Sequence, residues 1–294
     1  MTHKTIRTKV TSPASSPSKH PVTRPSAPAA ARSGAITGGR GGLLGAIAAE
    51  WTKLWTVRST WAALAATAGL IIAYTVIAGS AARSAPAGGS AGGLPTAPLD
   101  NLGTGVAFMG QFGILALATM VIATEYSTGS IRSTLLWVPV RHRMLLSKCL
   151  VLFPVLFVTG IVLAPLGLGS AIAALGDAAQ PVTVGDAVAQ AFAVGGYLGA
   201  VGVIVIGIGA AVRSVAGTLT VGFLLMLVLP MTMQSTSVEF LSKAADYLPG
   251  PAGMNLMGVA ENHAYGTPVA VGLLALWAVV ANVAGYFVLR SRDA

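Results

Sequence analysis

The chain has 294 residues, of which 54% are hydrophobic and 9% charged, and carries a net charge of +9 at pH 7. Soluble domains carry about a quarter charged residues, so this chain lacks the polar surface of a water-soluble globule, and a membrane protein with several spans is expected. Retention of Lys and Arg on the cytoplasmic side of spans accounts for the basic balance without nucleic acid. The single cysteine, Cys149, excludes an intrachain disulfide and reads as a small apolar filler.

Residues 1–42 are Ser, Thr, Pro, Ala and Gly with scattered Lys and Arg. They contain no apolar run of signal-peptide length, and a disordered cytoplasmic tail is expected, its basic residues within reach of anionic headgroups. In segment 43–58, Leu44, Ile47, Ala48, Trp51, Leu54 and Trp55 recur at helical spacing, with Glu50, Lys53 and Arg58 elsewhere on the wheel. This predicts an amphipathic helix in the inner interface with tryptophans at headgroup depth, equally fit as a membrane anchor or a coupling element.

Six apolar stretches follow, at 61–82, 103–123, 149–175, 187–212, 216–233 and 268–289. A spanning helix needs roughly 20 residues at about 1.5 Å each. Pro154, Pro165 and Pro230 lie inside these stretches, where neighbouring helices can repack around them. Between the second and third stretches lies a polar island, 125–148, with Glu125, Arg132, Arg141, Arg143 and Lys148. With the N-terminus in the cytoplasm, 16 of the 18 Lys and Arg fall inside, leaving Arg83 and Lys243 outside. This predicts six helices with both termini cytoplasmic. Of the outer loops, 83–102 reads as flexible. Phe240, Leu241, Ala244 and Leu248 in 235–267 share one helix face, which predicts a short interfacial or re-entrant helix, and 252–259 could form a second short piece.

Catalytic chemistry finds no foothold. His3, His20, His142 and His263 are scattered, and no His, Cys, Asp or Glu group has metal-ligand spacing. Met231 and Met233 could bind a soft metal but read as packing. The glycine-rich run 38–45 lacks the Gly-Lys-Ser/Thr ending of a phosphate loop. No span carries a central ionisable residue such as ion-driven carriers use. The polar residues expected inside the spans are Gln111, Gln190, Gln234 and Asn282, as helix glue. Energy for uphill transport would come from a partner.

Three motifs carry a family resemblance. The first is Glu50-Trp51-Thr52-Lys53-Leu54-Trp55 with Arg58-Ser59-Thr60-Trp61. The second is Thr124-Glu125-Tyr126-x-x-Gly129-Ser130-Ile131-Arg132-Ser133-Thr134-Leu135-Leu136, followed by Arg141-x-Arg143-x-x-x-x-Lys148. The third is Tyr247-Leu248-Pro249-Gly250-Pro251-Ala252-Gly253. With six spans, the chain over 43–294 resembles a permease of the ABC-2 type, as found in actinobacteria beside a separately encoded ATPase.

The resemblance implies an all-α permease domain over 43–294, with 43–58 as connecting helix and 125–137 as the coupling helix that meets the ATPase. Glu125, Tyr126, Gly129, Arg132, Leu135, Arg141 and Arg143 would form the ATPase-coupling set, and Glu50, Trp51, Lys53, Leu54, Trp55 and Arg58 the interfacial helix. It further implies a second permease copy, identical or similar, in the bacterial cell membrane. No cofactor belongs to this chain; ATP and Mg belong to the ATPase. The absence of mid-membrane charge points to an amphipathic, hydrophobic or lipid-linked cargo, and the resemblance implies export. The alternative is a membrane anchor or sensor subunit that signals through the same loop.

Overall fold

The computed structural model describes residues 42–84, 96–127, 141–259 and 265–291. Among these the chain is helical, without a strand. An entry helix, Leu43–Thr56, ends at an extended Val57. Six helices long and apolar enough to cross a membrane follow: Arg58–Ser84, Pro98–Ala123, His142–Ala178, Val184–Val212, Val215–Gln234 and Thr267–Ser291. The tail 1–42 lies outside the described residues, apart from Gly42.

Each expected apolar stretch coincides with one of these spans, but several helices begin earlier. The second starts at Pro98, with proline at its first turn. There the missing N–H costs nothing, because first-turn donors have no intrahelical acceptor. The third starts at Arg141 and runs through Pro154 and Pro165 as one helix. The hydropathy pattern fades where a helix enters the headgroup zone, while the helix itself continues.

The fourth span is the hub. It packs against the second, third, fifth and sixth, and Val194, Leu198, Val201, Ile204, Val205, Ile206 and Ala210 are fully buried. Without a hydrophobic force between helices in lipid, close packing of small residues supplies the contact. A Cβ on Gly160 of the third span would lie 2.5 Å from the Cα of Gly195 on the fourth. A Cβ on Gly207 would lie 2.4 Å from the carbonyl carbon of Ala281 on the sixth. The first, fifth and sixth spans leave most of their residues outside the buried core, as lipid-facing helices do.

The fifth span carries a π-turn, Leu224–Val228, just before Pro230. Proline removes the donor that would bond four residues back, and the widened turn absorbs the break. The loop beyond forms two short helices, Glu239–Ala245 and Pro249–Leu256. The expected shared face of Phe240, Leu241, Ala244 and Leu248 is divided: the first helix ends before Leu248, which is buried, while Phe240 and Leu241 are exposed. Pro249 opens a new helix and so forces the earlier one to stop.

Candidate functional site: two polar nodes at the basic end of the bundle

The alternating spans bring Lys53, Arg58, Arg143, Lys148, Arg213 and Arg290 to one end of the bundle. Two clusters are built there, and both start from the last turns of the second-span helix, Gln111–Ser127.

The first cluster joins three elements. Lys148 lies two turns into the third-span helix, with its side chain fully buried. Its ammonium donates to Glu50 Oε1 of the entry helix at 2.7 Å, to Glu125 Oε1 at 2.8 Å and to the Val121 carbonyl at 3.2 Å. An ammonium has three protons, and all three are used. Lys53 of the entry helix donates to the same Glu125 Oε1. Two carboxylates and two ammonium groups thus form a neutral set.

Glu125 is 3% exposed. It lies at the C-terminal end of a helix, where the macrodipole disfavours negative charge. Burial alone would push its carboxyl up, but the charges and hydrogen bonds of Lys148 and Lys53 outweigh burial and hold it below the usual carboxylate range. Its second oxygen, Oε2, is buried and has no hydrogen-bond partner among the described residues. Beside the cluster lies a cavity of about 130 Å³, lined by Glu50, Lys53 and Lys148 at its polar side and by Leu117, Met120 and Leu152 at its apolar side.

The entry helix turns a mixed apolar and charged face to the protein. Ala46 and Leu54 are buried, Glu50 and Lys53 face the protein, and Leu44 and Trp51 are exposed. In a bilayer the apolar face can meet lipid while the charged face seeks partners inside. Trp55 links the helix to the first span, with ring centroids 5.6 Å from Trp51 and 5.2 Å from Trp61. The Trp61 indole donates to the Trp55 carbonyl at 3.3 Å.

The second cluster centres on Arg213, in the turn between the fourth and fifth spans. Its guanidinium lies 5.6 Å from the Tyr126 ring centroid, and Nη2 donates to the Val288 carbonyl of the sixth span at 3.0 Å. A cation over a tyrosine face within about 6 Å is attracted by the ring quadrupole.

Of the residues singled out by sequence, Glu50, Lys53 and Glu125 meet in one cluster, and Tyr126 meets Arg213. Leu54 is buried on the inner face of the entry helix, whereas Arg58 and Arg143 are exposed. Arg141 opens the third-span helix. Gly129, Arg132 and Leu135 lie outside the described residues. The central part played by Lys148 and Arg213 was not evident from sequence, because their partners lie on other helices. Lys148 stands in the second motif; Arg213 stands in none.

Among the amides, Gln111 accepts from the buried Tyr197 hydroxyl at 2.7 Å, and Gln190 reaches the Leu99 carbonyl at 3.4 Å. Asn282 donates to the Val203 carbonyl at 3.0 Å and accepts from Cys149 Sγ at 3.3 Å. Gln234 departs from expectation: it is exposed at the end of the fifth span, which stops there.

Six apolar helices, with buried charge at one end among the described residues, define a helical membrane protein. The family model described as "ABC-2 family transporter protein" matches residues 46–231, and the chain belongs to that family. The match contains the whole first cluster and both Tyr126 and Arg213. No curated protein matches the chain.

Proposed function

We propose that this chain is the permease subunit of an exporter driven by a separately encoded ATPase, with the basic end in the cytoplasm and the coupling segment 125–137 meeting the ATPase. The first cluster carries the reading. It fastens the entry helix and the facing ends of the second and third spans into one polar unit through Glu125, the first residue of that segment, so force applied there reaches three elements together. The excess of Lys and Arg at this end supports the orientation. Two permease copies would pair, and exchange between two packed arrangements would open a path for an amphipathic or hydrophobic cargo.

The test is capture of the ATPase encoded beside the chain by tagged permease in mild detergent. ATP hydrolysis in the complex is then compared with hydrolysis by the ATPase alone. The complex should form, and its hydrolysis should exceed that of the isolated ATPase. Glu125→Ala with Arg132→Ala should abolish the stimulation, read per assembled complex because removing Glu125 from its two lysines lowers the yield. No capture, or stimulation unchanged by the double substitution, contradicts the proposal.

A further inference from the structure

We infer that Arg213 is a positioning residue that relays movement of the second-span base to the sixth span; this rests on the reading of 125–137 as the ATPase-coupling segment. Glu125 and Tyr126 are consecutive on a helix, so they point about 100° apart around its axis. Glu125 turns to the entry helix and third span. Tyr126 turns to Arg213. The base of the second span therefore forks, and each branch grips different helices.

The backbone at Arg213 is unusual. It is the one non-glycine residue with positive φ among the described residues, at φ 59° and ψ 20°. Glycine or asparagine fits this region with less steric conflict. Strained conformations of this kind persist where surrounding contacts over-determine them. Here the contacts are on both sides. The Arg213 N–H bonds the Gly209 carbonyl at 2.9 Å and ends the fourth span, and Ser214 at once caps the fifth by accepting from the Gly217 N–H at 3.3 Å.

The left-handed turn reverses the chain in two residues and places the arginine between two helix ends. Val288 lies in the last turn of the sixth span, where carbonyls lack intrahelical donors and a cation is favoured by the macrodipole. Tyr126 lies in the last turn of the second-span helix. One planar guanidinium thus holds the ends of two spans from the turn that joins two others. A displacement of Tyr126 changes the guanidinium's seat, and the hydrogen bond to Val288 passes the change to the sixth span. A charge needed only for topology would not require this backbone or these partners.

Hydrogen exchange on the full permease–ATPase complex tests the relay, with and without ATP plus vanadate. In the wild type, trapped nucleotide should alter exchange both at the start of the third span and at the end of the sixth. Arg213→Gly relaxes the backbone while removing the side chain, and Tyr126→Leu removes the ring while leaving the arginine. Both variants should keep the third-span response and lose the sixth-span response, with exchange elsewhere as in the wild type. A sixth-span response retained in either variant overturns the relay. A wild type in which neither segment responds overturns the ATPase-contact reading, and the relay with it.

Discussion

Buried charge distinguishes the two ends of the bundle: among the described residues it ties helices at the basic end, where backbone closeness also acts, at Gly207 against Ala281. At the basic end, buried charges and one arginine tie helix ends across long sequence separations: Lys148 pairs with Glu50, 98 residues away, and with Glu125, 23 away. At the opposite end, backbone closeness does the same task. A Cβ on Gly250 would lie 2.0 Å from the Met226 carbonyl, and one on Gly253 would lie 2.1 Å from the Tyr197 ring. Close packing favours one arrangement. A shared charge set can be re-paired, which suits the end proposed to receive force.

Substitutions separate the two kinds of fastening. Lys148→Met should have the largest effect, because it leaves two carboxylates facing each other without the buried cation. Removing one member of a buried pair costs about 3–5 kcal/mol, which should appear as a lower melting temperature in detergent and poor yield.

Acid should act on the same cluster more weakly. The Glu125 carboxyl is held below its ordinary value of 4.5. Its contribution to stability is therefore complete above that ordinary value and is lost as pH falls through the lower folded value. Thermal melts between about pH 6 and 8 should not respond to Glu125, and a Glu125→Gln variant should lack the acid-side loss.

At the other end, Gly250→Ala should cost about 1–3 kcal/mol through overpacking, without altering any charge-dependent behaviour. Lys243→Ala, in the exposed i,i+4 pair with Glu239 at 2.7 Å, should change stability by no more than about 0.5 kcal/mol. If it matched Lys148→Met in thermal melts, the contrast between the two ends would fail.

Much of the architecture was legible in the sequence, because crossing lipid demands long apolar runs and little else resembles them. The helix period of the entry segment was legible too, and so was the place of Glu125 at the base of the second span. The direction in which that helix faces was not, since Glu50 and Lys53 could have met water as readily as protein. Lys148 read as a charge at the edge of the third span, because the helix begins at Arg141, earlier than hydropathy shows. Arg213 read as one more inside charge. Its left-handed backbone leaves no mark in composition, and the only local signal is a span ending directly against a Ser214 cap with no glycine between.

The central claim is that the first cluster couples the ATPase to the spans and does more than hold the fold. The direct measurement is ATP hydrolysis by the reconstituted complex carrying Glu125→Gln with Lys148→Met, alongside its thermal melt. Replacing the buried pair as a unit keeps the cluster neutral, with Glu50 and Lys53 left one turn apart on the entry helix, and such a replacement is often close to neutral for stability. The account predicts a melt near that of the wild type and loss of the permease-dependent stimulation of hydrolysis. A variant that melts like the wild type and stimulates hydrolysis fully would contradict it.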